Sequence, residues 1–258
     1  MKDEIAESNR QLREAWKLYA QASPHGETLD KHGLSVADAG QPWFFVNVGA
    51  LSTPVLDGRD LQRRAREAMQ HFARRGNPWI LTASENWFGT NANALLADVG
   101  LVYKFDMVGM AADRLLPPVR PLPEVQLRRI GDEETISALA DLNAASYEVP
   151  SEWGRLAIGG PALWRSAIYG TVAYVGNEPA SGTFALPIDD ALYIAWVATA
   201  KAHRGRGLAE LVIRKSLADA KEATGLERTV LHATKDGRPV YHRMGYHDVV
   251  KFPCYGPM

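Results

Sequence analysis

The 258-residue sequence contains a single cysteine, Cys254, so no disulfide can form within the chain. Long apolar runs are also missing: the longest, Ala191 to Ala200, is far shorter than the roughly 20 residues that a membrane-spanning helix requires. The N-terminal Met1-Lys2-Asp3-Glu4 is charged and lacks the apolar core of a signal peptide. These absences predict a cytoplasmic protein that does not enter membranes and does not depend on cross-links.

An excess of charge of one sign is absent as well. The chain has 29 basic and 30 acidic residues, and a net charge of -1 provides no overall field to attract nucleic acid. The histidines are scattered without the spacing of metal ligands, so no metal site is predicted. With 46% hydrophobic and 23% charged residues, the composition is ordinary for a folded globular protein.

Proline is concentrated in one place, the segment Leu115–Pro123, which holds four prolines. Proline fixes its own φ and restricts the preceding residue, so this segment is expected to be an extended linker outside any sheet. It separates parts of about 115 and 135 residues, both of ordinary domain size. The sequence therefore predicts two domains, residues 1–116 and 124–258.

Hydrophobic periodicity predicts alternating helices and strands in both halves, and hence an α+β (mixed α/β) fold. The predicted helices cover about residues 12–19, 61–76, 92–99, 136–143, 207–223 and 239–244. The predicted strands cover about residues 43–48, 79–82, 101–108, 125–128, 171–175, 182–186, 192–198, 229–233 and 248–252. Residues 147–169 are expected to be irregular, and Gly76 and Gly245 are expected to end helices.

The most informative stretch is Arg204-Gly205-Arg206-Gly207-Leu208-Ala209, between a predicted strand and a predicted helix. The first turn of a helix has backbone N–H groups without partners, and the helix dipole is positive there, so a helix start attracts anions. The two glycines lack a Cβ and allow a phosphate to approach the backbone, while the two arginines add positive charge. The stretch therefore predicts a site for a diphosphate.

Two common nucleotide-binding motifs do not fit this turn. The dinucleotide pattern GxGxxG requires a third glycine where Glu210 stands, and the Walker pattern requires a Gly-Lys-Ser/Thr that does not follow. The alternative interpretation is that the two glycines only make a tight connection between strand and helix.

The turn resembles the Gln/Arg-x-x-Gly-x-Gly/Ala signature of the GNAT acyltransferases (N-acetyltransferases), and Val197-Ala198-Thr199 resembles the end of that family's fourth strand. Downstream, Val240–Tyr246 resembles its Leu-Tyr-x-x-x-Gly-Phe motif, in the family's order and at its usual separation. The resemblance covers about residues 124–258. It implies a mostly antiparallel mixed sheet, flanked by helices, that splays between strands four and five and admits acetyl-CoA as the cofactor.

The resemblance also implies roles for individual residues. Tyr241 matches the tyrosine that commonly protonates the departing thiolate, and Thr234 stands where the family often has asparagine. The implied cofactor-binding residues are Val197, Ala198, Thr199, Arg204, Gly205, Arg206, Gly207, Leu208, Ala209 and Thr234. For Tyr241 the alternative is a core aromatic on a short helix.

The general base is left open. Many relatives carry a glutamate on the fourth strand, and the predicted strand Leu192–Ala198 has none. The candidates are a histidine on the next strand, two aspartates in the preceding turn, two glutamates in the irregular segment, or water: His232, Asp189, Asp190, Glu148 and Glu152.

The first half faintly resembles the same family. In Leu95–Leu101 the tyrosine of the Tyr-x-x-x-Gly-Phe motif is replaced by Leu96. Leu51–Asp60, in the place of the diphosphate turn, has one glycine, a proline and two aspartates and is expected to bind phosphate poorly. The sequence thus predicts two GNAT-like halves in tandem, of which the first is degenerate.

The resulting hypothesis is an N-acetyltransferase that moves an acetyl group from acetyl-CoA to a small-molecule or peptide amine. The missing strand-four glutamate motivates the alternative of a non-catalytic coenzyme A-binding regulatory module. A third hypothesis is an interaction protein with an empty fold. Either a monomer or a homodimer is expected, since an internal repeat can replace a second copy.

Overall fold

The structure is a computed structural model and describes residues 3–258. It divides the chain into two compact units. The first contains the chain up to Gly109 together with Ala233–Lys235 and Val249–Met258; the second contains Met110–His232 and Asp236–Asp248. These units differ from the sequence-based ranges 1–116 and 124–258 chiefly because the C-terminal residues group with the first unit.

In chain order the helices and strands are α1 (Glu4–Ala22), β1 (Glu27–Lys31), β2 (Leu34–Asp38), β3 (Asn47–Leu51), α2 (Gly58–Arg75), β4 (Ile80–Thr82), α3 (Glu85–Phe88), α4 (Ala92–Ala97), β5 (Leu101–Ala112), β6 (Gln126–Arg129), α5 (Glu133–Ser146), α6 (Ser151–Ile158), α7 (Pro161–Trp164), β7 (Tyr169–Val175), β8 (Glu178–Ile188), β9 (Ala191–Thr199), α8 (Leu208–Thr224), β10 (Thr229–Ala233), α9 (Arg238–Met244) and β11 (His247–Pro257). No helix among residues 3–258 has the length and apolar character needed to cross a membrane.

The sheet of the first unit has the strand order β1–β2–β3–β4–β11–β5. Strands β1, β2 and β3 are antiparallel neighbours, whereas β3 and β4 are parallel and are connected through α2. Such a parallel pair requires a crossover connection, which α2 provides. Residues of α2 and the strands form one apolar core, in which the rings of Phe72 and Trp79 stack with centroids 4.7 Å apart.

The sheet of the second unit has the order β10–β9–β8–β7–β6. Its strands from β6 to β9 are antiparallel, whereas β9 and β10 are parallel and are connected through α8. Helix α8 packs against β7, β8 and β9, and α5 packs against β8 and β9. The side chains of Leu208 and Val212 bury α8 against Ala173 and Ala180 of the sheet.

The same order of elements occurs twice along the chain. The series α1, β1, β2, β3, α2, β4, α4, β5 is matched by α5, β7, β8, β9, α8, β10, α9, β11. In both series the third strand continues through a long helix into a parallel strand. The predicted α+β class, with mostly antiparallel strands in each half, is confirmed.

Local signals at helix ends predicted several boundaries correctly. Gly76 and Gly245 adopt left-handed conformations, with φ of 71° and 101°, at the ends of α2 and α9. Glycine is suited to that position because it has no Cβ to clash with the preceding carbonyl. Residues 115–123 form neither helix nor strand, as their prolines predicted.

Some sequence predictions were wrong. Phe44–Val46 form a 3-10 turn rather than the start of a strand, and the strand begins at Asn47. The hairpin of β1 and β2 was missed, because every residue of β1 is exposed and shows no apolar alternation. Residues 147–169 are not irregular throughout, since α6 and α7 lie within them. Their short lengths leave little hydrophobic periodicity to detect.

Candidate functional site

The glycine-rich turn lies where β9 ends and α8 begins. After Thr199 a 3-10 turn covers Lys201–His203, and the chain then passes through two left-handed glycines, Gly205 with φ of 75° and Gly207 with φ of 82°. A side chain at either position would be strained, since left-handed backbone brings Cβ close to a carbonyl. Gly207 is the N-cap residue of α8, so the helix starts directly at the turn.

The start of α8 differs from the other long helices. Among the helices of more than ten residues in the described chain, α1, α2 and α5 have aspartate N-caps whose carboxylates accept a backbone N–H of the first turn: Asp3, Asp57 and Asp132. Gly207 supplies no side-chain cap to α8. The first N–H groups of α8 are therefore available to an external acceptor, with the positive end of the helix dipole behind them.

Three arginines surround this turn in the second unit. Nε of Arg204 donates to the carbonyl of Thr199 at 3.2 Å, and Nη1 of Arg206 lies 2.9 Å from Nδ1 of His203. The third, Arg120, comes from the proline-rich linker and donates through Nη2 to the carbonyl of Gly205 at 3.2 Å. Sequence reasoning missed Arg120, because no local pattern connects residues 85 positions apart. Together they make the turn a cationic surface.

The pairing of strands β9 and β10 ends before either strand ends. The parallel register pairs Leu192 with Thr229 and Ile194 with Leu231, and both strands continue beyond these pairs. The part of β9 that includes Val197, Ala198 and Thr199 therefore runs past the end of this ladder. A strand edge without a neighbour offers its N–H and C=O groups to an extended ligand.

A β-bulge interrupts β9 at the same place. Gly182 pairs with Ala198 and Phe184 pairs with Ala195, so Thr183 faces both Trp196 and Val197. Trp196 has a φ of 57°, which is rare for a large side chain. Bulges of this type redirect the backbone locally and are common beside active sites.

Tyr241 lies on α9, which packs against α8. Its side chain is buried; its ring centroid is 5.8 Å from that of Tyr246, and Cε2 lies 3.1 Å from the position that a Cβ on Gly237 would take. Burial, and secondarily the nearby Tyr246 and Tyr147, raise the pKa of Tyr241 above its ordinary value of 10. The hydroxyl therefore keeps its proton at neutral pH and is suited to act as an acid rather than a base.

Among the base candidates, His232 is half-buried on β10, and its Nδ1 lies 3.1 Å from Oη of Tyr193. Loss of solvation lowers the pKa of His232 to about 3. The imidazole is neutral at pH 7, but it would hold an abstracted proton weakly. Asp189 and Asp190 are exposed in the turn before β9, which is the opposite end of that strand from Thr199.

The structure thus brings most of the predicted site residues together in the second unit. The end of β9 and the turn to α8 are continuous, and Tyr241 lies on the helix that packs against α8. Thr234 follows β10 directly and belongs to the segment Ala233–Lys235 that groups with the first unit. No group of three His, Cys, Asp or Glu side chains among residues 3–258 is arranged to hold a metal ion.

Comparisons with known proteins agree with this geometry. The sequence model of the acetyltransferase (GNAT) family matches residues 136–246. No curated protein sequence matches the chain. Members of the matched family transfer acetyl groups from acetyl-CoA to amine acceptors.

Solved structures share the fold over nearly the whole chain. A GCN5-related N-acetyltransferase from Kribbella flavida has a TM-score of 0.71 and 16% identity, covering 98% of this chain and 95% of its own. A GCN5-related N-acetyltransferase-like protein from Streptococcus suis has a TM-score of 0.59 and 16% identity, covering 98% and 100%. A tandem GNAT protein from the clavulanic acid biosynthesis pathway has a TM-score of 0.58 and 15% identity, covering 97% and 94%. Residues 136–246 therefore match the GNAT acetyltransferase family, within a chain that shares the fold of a tandem GNAT protein.

Proposed function

We propose that the second unit is an N-acetyltransferase that transfers an acetyl group from acetyl-CoA to a small-molecule or peptide amine. The observation that carries the proposal is the start of α8, where two left-handed glycines leave the first N–H groups uncapped among three arginines. A buried, protonated Tyr241 on the neighbouring helix supports catalysis in addition to binding.

In this proposal the diphosphate of acetyl-CoA accepts hydrogen bonds from the backbone N–H groups of residues 206–209. Arg204, Arg206 and Arg120 add positive charge around it. The pantetheine arm lies along Val197, Ala198 and Thr199, where β9 has left its ladder with β10, and pairs with that edge like an added strand. Thr234, in the position of the family's asparagine, is a further proposed contact.

The acetyl transfer requires that the amine and the thioester are held together, that the charge of the oxyanion is stabilised, and that one proton reaches the sulfur. The amine nitrogen attacks the thioester carbonyl carbon, and the carbonyl electrons move to oxygen to give a tetrahedral oxyanion. A backbone N–H at Val197 or Ala198 stabilises that oxygen; loss of one such donor costs about 3–4 kcal/mol in other enzymes. The carbon–sulfur bond then breaks, Tyr241 donates its proton to the sulfur, and the surplus proton of the nitrogen passes to water.

The experiment that tests cofactor binding replaces Gly207 with aspartate. A carboxylate at a left-handed position should oppose the diphosphate both by strain and by charge, so acetyl-CoA binding in titration calorimetry is expected to disappear. The matched control is Gly225→Asp at the other end of α8, where the backbone is likewise left-handed, with φ of 75°, and no atom lies within 4 Å of an added Cβ. Retained binding by Gly207→Asp would rule out this site.

A second candidate function, a non-catalytic coenzyme A-binding module, is favoured by the absence of a carboxylate along β9. Both candidates require cofactor binding, and they differ in turnover. Release of free thiol from acetyl-CoA in the presence of a broad panel of amines would contradict the non-catalytic alternative. Binding without thiol release across the panel would favour it.

A further inference from the structure

The bulge of β9 is held in an unfavourable backbone conformation. Trp196 is a large aromatic residue at a φ of 57°, a region that glycine and asparagine occupy far more readily. Such strain persists only where surrounding contacts fix it. The bulge therefore depends on the contacts that hold Trp196 in this conformation.

Three side chains hold the carbonyl groups around this bulge. Oγ1 of Thr183 donates to the carbonyl of Ala195 at 2.8 Å, and Oγ of Ser181 donates to that of Ala198 at 2.9 Å. Both donors come from the neighbouring strand β8. The carbonyl of Trp196, at the strained residue itself, is held instead by Asn143 of helix α5.

Asn143 is buried, and its side-chain amide donates hydrogen bonds but accepts none. Nδ2 donates to the carbonyl of Leu139, one turn back in α5, and to the carbonyl of Trp196, both at 3.0 Å. The amide oxygen is buried without a hydrogen-bond partner. An unpartnered buried acceptor is destabilising, so stability alone would not favour asparagine at this position.

The hydrogen bond from Asn143 to the carbonyl of Trp196 also fixes the direction of the N–H of Val197. A peptide unit is planar and trans, so the C=O of Trp196 and the N–H of Val197 belong to one rigid plane and point in opposite directions. With the carbonyl held toward Asn143, the N–H of Val197 is directed away from α5. This N–H belongs to the part of β9 beyond its ladder with β10.

We propose that Asn143 is a positioning residue, which holds the peptide plane of Trp196 and Val197 so that the N–H of Val197 faces the acyl-pantetheine arm of the cofactor. This inference rests on the proposed function of the second unit. It assigns binding of the acyl arm to the bulge, whereas the nucleotide part of the cofactor binds at the turn before α8. The two parts of the ligand therefore respond differently to a change at Asn143.

The test compares two ligands in titration calorimetry: acetyl-CoA, and adenosine 3′-phosphate 5′-diphosphate, which is the nucleotide without the pantetheine arm. Asn143→Leu keeps the side-chain size and removes the donor. We expect acetyl-CoA affinity to fall about tenfold, the upper range for one net hydrogen bond, with nucleotide affinity unchanged. Thr229→Val is the control, because it removes another buried hydrogen bond of this unit, at 2.8 Å to Tyr246; it should leave both affinities unchanged.

The outcomes separate the inference from the function on which it rests. If wild-type protein binds acetyl-CoA but Asn143→Leu keeps both affinities, or loses both equally, the positioning role is wrong and the proposed function stands. If wild-type protein binds neither ligand, both are wrong. Should Asn143→Leu fail to fold, ¹⁵N-asparagine-labelled wild-type protein provides the test: the side-chain NH₂ resonance of Asn143 must shift with acetyl-CoA and not with the nucleotide, and an unchanged resonance overturns the inference.

Discussion

At the scale of single residues, Tyr241 connects the structure to the proposed catalysis. Its burial raises the pKa of the phenol, so the proton that would go to the leaving sulfur is present at every physiological pH. Tyr241→Phe removes the hydroxyl that carries this proton and changes the volume of the side chain only slightly. We expect turnover to fall by about 10²–10⁴-fold, the usual contribution of a general acid, and the Kd for acetyl-CoA to be unchanged.

The measurement is thiol release from acetyl-CoA with an amine that the wild-type protein accepts, together with titration calorimetry. Tyr246→Phe is the matched control, because Tyr246 is also buried and its hydroxyl is hydrogen-bonded to that of Thr229 at 2.8 Å. Equal losses in the two variants would mean that Tyr241 contributes only to packing.

His232 allows a prediction about stability and pH. Its pKa is about 3 in the folded protein against an ordinary value of 6.5, so below pH 6.5 the unfolded chain binds a proton that the folded chain does not. The stability that depends on neutral His232 is therefore fully present above pH 6.5 and is lost as the pH falls toward 3. We expect the difference in urea midpoint between wild-type protein and His232→Gln to shrink over that range.

The control for this titration is His25→Gln, which replaces an exposed histidine. A difference between wild-type protein and His232→Gln that stays constant from pH 7 to pH 4 would contradict a neutral, desolvated His232.

Residues defined by local chemistry could be predicted from the sequence, whereas residues defined by distant contacts could not. Gly245 was predicted because a left-handed position at the C-terminal end of a helix favours glycine, and Gly207 because a glycine before a helix lets a phosphate approach the backbone. Arg120 and Asn143 were not, since each contacts its partner across the fold, at separations of 85 and 53 residues. Asn143 was assigned only to a helix face, and nothing in the sequence indicates its bond to Trp196.

At the scale of elements, the two crossover helices α2 and α8 differ in whether the N–H groups of their first turn are available to an anion. Asp57 caps α2, and its carboxylate accepts the N–H of Asp60 at 2.8 Å, while Gly207 leaves α8 uncapped. The negative charge that α8 would receive from a ligand is supplied to α2 by the chain itself.

This difference predicts that α2 is stabilised by its cap. Asp57→Ala is expected to lower the free energy of unfolding by about 1 kcal/mol, the typical value of an aspartate N-cap, as measured by urea denaturation. Asp98→Ala, at the exposed C-terminal end of α4, removes the same charge from a position where it caps no helix start and should have little effect. Equal effects of the two substitutions would show that the loss of charge, rather than the cap, is responsible.

Sequence periodicity identified the long elements and failed at the short ones. Helices α2 and α8 have apolar residues repeating along one face over 18 and 17 residues, which is enough for the pattern to be clear. Strand β1 has five exposed residues and is defined by its pairing with β2, and α7 has only four residues. Such elements depend on tertiary contacts that their own residues do not encode.

At the scale of the whole molecule, the repeated order of elements raises the question of how many cofactors one chain binds. In the first unit the arginine next to the position equivalent to the diphosphate turn is already hydrogen-bonded within the chain. Arg64 is buried there and donates to the carboxylate of Asp60 at 2.5 Å and to the carbonyls of Gly33 and Thr53 at 2.9 and 2.8 Å. The sequence predicts Leu96 as the equivalent of Tyr241, and leucine has no proton to donate.

We therefore expect one acetyl-CoA to bind per chain, although the fold is present twice. Titration calorimetry of wild-type protein should give a stoichiometry near one. Gly207→Asp should remove all binding, because Asp57 already caps α2, the first unit's counterpart of α8, and Arg64 and Asp60 are paired with each other. A stoichiometry near two, or one remaining site in Gly207→Asp, would show that the first unit also accepts the cofactor, despite the aspartate that caps α2.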